Sequence, residues 1–384
     1  MTTQRYSDLR TFRGACPTAP LDARRVAALV ENPGCGRRAV LDAAAVPLDK
    51  VAELIGCPPA HQSPFAIQGG IQFERIVTEN GLAHVVRLAR EHLGLDVPEV
   101  RQVDLSMQAL IAAHGTVTNE LRCRLTDQHL EAALTQRAGA VNLLRHPMTR
   151  LEVSGMTCFL EQDVLALAVA GRIHVCEIKS FACVDGIADP DKVAAAMRQS
   201  AVYVMSLQDT VAALGFDPVT VVSTRVMLIM TTNFTFFPTA SVVDVGSQVR
   251  RLRRQLAHRP DVEALVAGLA PEVSLPGLPA SSATEEERQA ASHQAADAVA
   301  ALPARFGDGC LNCPLYRYCR REAQTNGSLE RLGTDVANAC GEVTSISVAI
   351  GLARGRRRPS GPGEAAVADV LARAHDVAAR YGTA

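Results

Sequence analysis

The sequence predicts an α/β protein in which helices flank a central sheet, and two observations support this class. In the middle third, apolar runs of strand length are separated by turn residues, as over 159–179 and 222–245. Segments with the periodicity and end signals of helices precede and follow these runs. Because strands and helices recur along one chain of 384 residues, helices packed on the faces of the sheet are the expected arrangement.

The first third is expected to be largely helical. Helical segments cover 22–56 and 70–93, and the helix-breaking sequence NPGCG at 32–36 divides the first of them. Residues 97–150 show no dominant period and are left without an assignment. The chain contains no internal repeat.

A hairpin and a long helix are predicted in the middle third. Two apolar runs meet at the turn Ala170-Gly171-Arg172, which favours a pair of adjacent strands. The next helix has clear ends, because Asp189 can cap it, Pro190 suits its first position and Gly215 can end it. Further on we expect two strands over 222–245, a basic helix over 246–259, a linker over 274–284, another helix, a cysteine cluster and a last amphipathic helix.

Composition limits the function classes. The net charge is −1, so binding to a polyanion must depend on local basic patches. No apolar stretch approaches 18 residues and the start does not resemble a signal peptide, so we expect a cytoplasmic protein without a membrane span. The eleven cysteines are therefore expected to be thiols or metal ligands and not a disulfide framework. No G-x4-G-K-[ST] motif is present, so any DNA unwinding would need a helicase partner.

Three charged residues lie on the two strands of the predicted hairpin. Glu177 and Lys179 are expected at the end of a buried strand, and they project from the same face because side chains alternate along a strand. Asp163 opens the preceding strand, and the turn at Gly171 can bring it beside Glu177. Two carboxylates can hold a hard cation such as Mg²⁺, and a lysine can stabilise the charge on a phosphate. The alternative is a solvated salt bridge at the end of a strand.

The spacing Asp-x13-Glu-x-Lys resembles that of the PD-(D/E)xK nucleases. Gln199 and Tyr203 add a Gln-x3-Tyr pair on one helical face, and Glu74 lies early in a predicted helix, behind Gly70. With these residues the chain resembles the RecB-type branch of that superfamily. In this branch a helical motif supplies a further metal ligand, and a Gln-x3-Tyr helix follows the active-site strands. The branch usually has histidine where Glu74 stands.

The resemblance implies a mixed sheet flanked by helices and a metal-dependent hydrolysis of DNA that is exonucleolytic on single strands or ends. Asp163 and Glu177 would hold Mg²⁺ or Mn²⁺, with help from Glu74. Lys179 would stabilise the transition state, and the Gln-x3-Tyr pair would position either the active site or the DNA strand. The implied catalytic set is Glu74, Asp163, Glu177, Lys179, Gln199 and Tyr203.

The final third carries a cysteine triplet with C-x2-C-x5-C spacing. Cys310, Cys313 and Cys319 can face one metal centre, but a tetrahedral zinc ion or a cubane cluster needs a fourth ligand. No second local pair lies near the triplet, which disfavours a zinc ribbon. The surrounding stretch is polar and rich in turn residues, so three small buried apolar residues are a poor alternative.

The triplet resembles the one that ends a subset of RecB-type nucleases, including the CRISPR-associated adaptation nuclease and the AddB-type subunits. In this subset a distant upstream cysteine completes the ligand set of a [4Fe–4S] cluster. Cys35 is the best match, since it lies in a helix-breaking stretch and is followed by two arginines. Cys57 is the alternative fourth ligand. Such a cluster would join the N-terminal arm to the C-terminal segment.

The resemblance covers about residues 35–325 and divides the chain into four segments. They are an N-terminal lead, a nuclease core, a helical and iron–sulfur segment, and a basic tail with a last helix, over 1–34, 35–245, 246–330 and 331–384. DNA is the expected partner, and four arginines of the basic helix could contact its phosphates: Arg250, Arg251, Arg253 and Arg254.

Two alternatives remain. One is a catalytically silent DNA-binding or scaffold subunit, and the other is a zinc-containing restriction-type endonuclease. CRISPR adaptation, another form of phage defence and DNA repair all agree with the sequence, which leaves the pathway open.

Overall fold

The structure, a computed structural model, describes residues 9–59, 63–95, 97, 99–153, 156–169, 171–258 and 261–381. The chain divides into two compact units. The first unit comprises 1–19, 28–60 and 258–384, and the second comprises 20–27 and 61–257. This division differs from the four consecutive segments expected from the sequence, because the N-terminal residues and the C-terminal third belong to one unit.

The second unit is built on a sheet of mixed direction. In chain order, the strands of the described residues are β1 (Gln102–Asp104), β2 (Leu143–Arg145), β3 (Met148–Val153), β4 (Met156–Glu161), β5 (Val164–Val169), β6 (Arg172–Val184), β7 (Ile187–Ala188), β8 (Arg225–Thr232) and β9 (Pro238–Asp244). The main sheet has the order β1-β2-β5-β6-β8-β9, and β7 pairs with β6. β1–β2 and β6–β8 are parallel, and the other pairs are antiparallel. β3 and β4 form a separate antiparallel pair.

Helices flank this sheet, which confirms the α/β class. The described helices of the chain are α1 (Ala23–Val30), α2 (Gly36–Ala43), α3 (Leu48–Leu54), α4 (Pro64–Leu93), α5 (Met107–His114), α6 (Asn119–Leu134), α7 (Pro190–Ala213), α8 (Pro218–Val221), α9 (Gly246–Ala257), α10 (Val262–Ala267), α11 (Glu285–Ala300), α12 (Tyr316–Asn326), α13 (Thr334–Ala339), α14 (Ile346–Ala353) and α15 (Pro362–Arg380). Two 3₁₀ helices cover Asp308–Asn312 and Leu329–Leu332. Among the described helices, none is both long and apolar enough to cross a membrane.

The ends of α7 follow the local signals. Asp189 caps α7 by accepting a hydrogen bond from the Asp191 N–H, and Pro190 occupies the first turn, as predicted. Gly215 follows the helix with a φ of +87°, which glycine adopts without strain. The predicted hairpin is confirmed as β5–β6, with Gly171 at a φ of +76°, whereas Ala170 lies outside the described residues.

The helix predicted from Gly70 begins earlier, at Pro64, because Ser63 caps it by accepting from the Ala66 N–H at 3.1 Å. The prediction took the two glycines as a helix start, but they lie inside the helix. α4 is also interrupted at 79–82, where Asn80 and the two residues after it have positive φ.

The core of the second unit lies between α4 and one face of the sheet. Phe73 and Val77 of α4 belong to the same buried cluster as alternate residues of the strands. In β6 these are Cys176 and Ile178, so the residue between them, Glu177, points to the opposite face.

Two apolar clusters form the core of the first unit. One contains α2 and α3 together with α11, through residues such as Val40, Val51 and Val299. The other contains α12 and α14 and is covered by α15. The predicted break at 32–36 is confirmed, because α1 ends at Val30 and α2 begins at Gly36.

Candidate functional site

The β5–β6 hairpin brings the predicted acids together. Val164 pairs with Cys176 in antiparallel register, so Asp163, one residue earlier, comes opposite Glu177. The Asp163 carboxylate accepts a hydrogen bond from the Ile178 N–H at 2.7 Å. Lys179 Nζ is in ion-pair contact with Glu177 Oε1. The three charged residues that the sequence singled out therefore lie side by side in the second unit.

The position of this pair corrects one expectation. β6 continues to Val184, so Glu177 and Lys179 lie within a strand and not at its end. The pairing of β6 with β8 changes from Ile178–Ile229 to Ala182–Thr231, so that four steps along β6 match two along β8. This bulge takes Lys179 out of the regular ladder, and bulges of this kind redirect side chains beside active sites. Sequence patterns do not show a bulge, because it depends on the partner strand.

Burial excludes a solvated surface pair. The side chain of Glu177 is 1% exposed and that of Lys179 is 24% exposed. Burial, followed by repulsion from Asp163, raises the pKa of Glu177 to about 8, although Lys179 opposes the shift. Burial lowers the pKa of Lys179, but the carboxylates of Glu177 and Asp163 outweigh it and leave that pKa raised. Among the described residues, Glu177 Oε2 has no hydrogen-bond partner.

The Gln-x3-Tyr pair of α7 lies on the same side as this site. Gln199 Nε2 donates to Tyr203 Oη at 2.8 Å. Tyr203 is buried, and burial raises the pKa of its phenol, with further contributions from the carboxylates of Glu177 and Asp163. The phenol is therefore neutral and lies within electrostatic range of both acids.

Glu74 approaches the same acids from α4. It lies in the third turn of the helix and not early in it, because α4 begins at Pro64. Burial and the charge of Asp163 raise the pKa of Glu74, and His146 opposes the shift. Among the described residues, however, no group of three or more histidine, cysteine, aspartate or glutamate side chains is arranged to hold a metal ion.

His146 is a residue of this region that the sequence did not indicate. Its Nε2 lies 3.7 Å from Glu74 Oε1 and its Nδ1 lies 3.3 Å from Glu161 Oε1. The hydrogen bond to Glu161 raises the pKa of His146, although burial opposes the shift. The only local signal was a polar residue between the apolar pair Leu143–Leu144 and Pro147, which is too common a pattern to predict a site.

The predicted cluster cysteines line one cavity of the first unit. Cys35 is the N-cap residue of α2 and is buried. Cys310 and Cys313 lie at the 3₁₀ helix, and Cys319 lies on α12. All four line the same cavity, together with Asn32, Arg37, Arg38 and Tyr316. The cysteines of the chain are all free thiols.

Nitrogen donors point at the sulfur atoms of this cavity. Asn32 Nδ2 donates to Cys310 Sγ at 3.2 Å, and Arg37 Nη1 donates to Cys319 Sγ at 3.1 Å. The Arg38 side chain is hydrogen-bonded to Cys313. Burial raises the pKa of Cys319 to about 11, although Arg37 opposes the shift. Such donors stabilise sulfur in its thiolate form, which is the form that binds metals.

Cys57, the alternative fourth ligand, is a buried residue of the first unit. It belongs to the apolar cluster of α2 and α3, where Arg321 Nη2 donates to its sulfur atom. It is not among the residues that line the cavity of the other four cysteines.

The arginines of α9 are exposed, as predicted for a basic face. Val249 and Leu252 are buried on its opposite side. Arg253 is bound to Asp209 at 2.7 Å and to Gln208 of α7, so part of this basic face is already neutralised. The other three exposed arginines of this basic face are Arg250, Arg251 and Arg254.

Comparisons with known proteins add little. No model of a protein family matches the chain, and no curated protein matches it. Among solved structures, the chain is similar to one titled "Crystal structure of SSO0001", with 13% identity over 46% of this chain and 84% of that chain. The TM-score is 0.17, a value at which the similarity supports no argument about fold or function.

Proposed function

We propose that the protein is a metal-dependent DNA nuclease of the PD-(D/E)xK type, active on single strands or ends and stabilised by a [4Fe–4S] cluster. The observation that carries the proposal is the buried group of Asp163, Glu177 and Lys179 on the β5–β6 hairpin. Burial raises the pKa values of both facing carboxylates, and Asp163 raises that of Glu177 further, so a bound cation would stabilise them.

The oxygen donors of these residues are the type that a hard divalent cation prefers. Asp163 and Glu177 offer carboxylate oxygens, and Oε2 of Glu177 has no hydrogen-bond partner among the described residues. Glu74 would supply a further oxygen from α4. Bound Mg²⁺ or Mn²⁺ would supply positive charge and an activated water. The contact between Lys179 and Glu177 Oε1 leaves Oε2 as the oxygen of Glu177 that is available to the ion.

The other residues act on the phosphate and on the site. The raised pKa of Lys179 keeps its ammonium protonated at neutral pH, so it stabilises negative charge and does not act as a base. Tyr203, held by Gln199, is a neutral hydrogen-bond donor facing the acids. The exposed arginines of α9 would contact phosphates of the DNA strand.

Four cysteines around one cavity, three of them with nitrogen donors to sulfur, fit an iron–sulfur cluster held by thiolates. Cys35, Cys310, Cys313 and Cys319 would be its ligands. The cluster would link residue 35 to residues 310–319 and so close a loop of most of the chain, which restricts the unfolded ensemble.

The test is cleavage of end-labelled single-stranded DNA, duplex DNA and RNA by anaerobically purified protein with Mn²⁺. We expect cleavage of DNA that EDTA abolishes and that Lys179→Ala reduces by about 100- to 1,000-fold, because a preorganised cation at the phosphate is lost. Lys192→Ala is the matched control, since Lys192 is an exposed lysine of the same unit. Equal activity of both variants would contradict the role of Lys179.

A catalytically silent DNA-binding subunit is the second candidate. The ion pair between Lys179 and Glu177 favours it, because that contact occupies one of the oxygens needed for the metal. Wild-type protein that binds DNA but leaves every substrate intact with Mn²⁺ would support this candidate. Zinc in place of iron, measured by metal analysis, would instead support the restriction-type alternative.

A further inference from the structure

His146 lies in a tightly fixed turn between β2 and β3. Its N–H donates to the Asp163 carbonyl at 3.0 Å, and its own carbonyl accepts from Arg122 Nη2 at 3.0 Å. Its φ is +50°, a left-handed conformation that is unfavourable for a residue with a Cβ. The backbone of His146 is therefore held directly beside that of a predicted metal ligand.

The imidazole is oriented by a carboxylate, which is itself anchored. His146 Nδ1 lies 3.3 Å from Glu161 Oε1, and Glu161 Oε2 lies 2.7 Å from Arg122 Nη1. Arg122 is fully buried and also donates from Nε to the Leu105 carbonyl at 2.8 Å. These contacts fix the plane of the imidazole ring and favour the proton on Nδ1.

The second ring nitrogen points at the acidic group. Nε2 lies 3.7 Å from Glu74 Oε1, which is longer than a hydrogen bond. With Nδ1 donating to Glu161, a neutral imidazole has its lone pair on Nε2, on the side of Glu74. Histidines that bind metals have this arrangement, in which the other ring N–H donates to a carboxylate.

We propose that His146 is a further ligand of the divalent cation, binding through Nε2, with Glu161 and Arg122 as its positioning residues. The inference rests on the metal site of the proposed function and makes it more specific. A site with one imidazole among carboxylates binds Mn²⁺ in preference to Mg²⁺, because nitrogen ligands suit the transition metals.

The test is metal binding by the full chain without DNA, measured by titration calorimetry with Mn²⁺ and with Mg²⁺. We expect His146→Gln to weaken Mn²⁺ binding by about 10- to 100-fold and Mg²⁺ binding less, and Glu161→Gln to weaken Mn²⁺ binding by about 10-fold. His84→Gln, a half-buried histidine of α4, is the control and should bind Mn²⁺ normally.

Pulsed electron paramagnetic resonance of Mn²⁺ on the wild-type protein tests the ligand without any variant. A nitrogen coupling from imidazole that disappears in a folded His146→Gln protein supports the inference. Absence of that coupling, or unchanged Mn²⁺ affinity in His146→Gln when Glu177→Gln abolishes binding, overturns the inference and leaves the proposed function intact. A wild-type protein that binds neither ion overturns both.

Discussion

The acidic site of the second unit and the cysteine cavity of the first unit differ in how completely their buried charged groups are hydrogen-bonded. In the cavity, Arg37 is 1% exposed, and Glu322 binds it through two oxygens, each at 3.0 Å. Arg331 binds the same carboxylate at 2.8 Å. In the acidic site, Glu177 is equally buried, but one of its oxygens has no hydrogen-bond partner among the described residues.

Under the proposed function, this difference separates a contact that supports the local structure from a site that binds a ligand. A buried pair with satisfied hydrogen bonds fixes a local structure, whereas neighbouring acids with raised pKa values carry a cost that a bound cation offsets. The three acids of this site, Glu74, Asp163 and Glu177, all have raised pKa values. We therefore expect ligand binding to change the stability of the second unit through these acids.

The largest expected effect concerns the cysteine cavity. Cys35→Ser removes one of four ligands, so we expect loss of most iron and of the visible absorbance of the cluster. Cys57→Ser is the matched control, because Cys57 is also buried in the first unit but does not line the cavity. Metal analysis and visible spectra of anaerobically purified proteins measure the effect. Iron loss in the control alone would assign the fourth ligand to Cys57.

The next prediction concerns the ion pair between Arg37 and Glu322, whose hydrogen bonds are satisfied. Arg37→Leu leaves the Glu322 carboxylate without its bidentate partner and should lower the free energy of unfolding by about 3–5 kcal/mol. Arg320→Leu, which changes an exposed arginine of the same unit, should change it far less. Denaturant unfolding gives both values. A loss below about 1 kcal/mol for Arg37→Leu would show that the pair is not a supporting contact.

The last effect concerns the unsatisfied acid and depends on pH. Burial raises the folded-state pKa of Glu177 from 4.5 to about 8, so ionisation costs the folded protein stability as the pH rises through this range. In EDTA, Glu177→Gln should match the wild type in melting temperature near pH 4 and exceed it increasingly up to pH 8. Added Mn²⁺ should stabilise the wild type and not the variant.

If the melting temperature of Glu177→Gln relative to the wild type fell with rising pH, the expected direction of the pH dependence would be wrong. It would mean that the ion pair with Lys179 outweighs the cost of burial. Asp191→Asn, which alters an exposed acid of the same unit, is the control and should show no such trend.

The sequence by itself determined the β5–β6 hairpin and the acids on it. Alternation of side chains, with a turn at Gly171, was sufficient to place Asp163 opposite Glu177, because the pairing is local. The cap of α7 and the Gln-x3-Tyr pair followed from helical signals in the same way. The cysteine triplet was evident from its spacing, since its members lie within ten residues.

Only the tertiary structure decided the parts that depend on distant segments. The bulge at Lys179 results from pairing with β8, and His146 meets Glu74 because β2 lies next to β5 in the sheet. That Cys35 lines the cavity of the cysteine triplet and Cys57 does not depends on the packing of the first unit. The physical reason is that local propensities act over a few residues, whereas contacts across the chain depend on how complete elements pack.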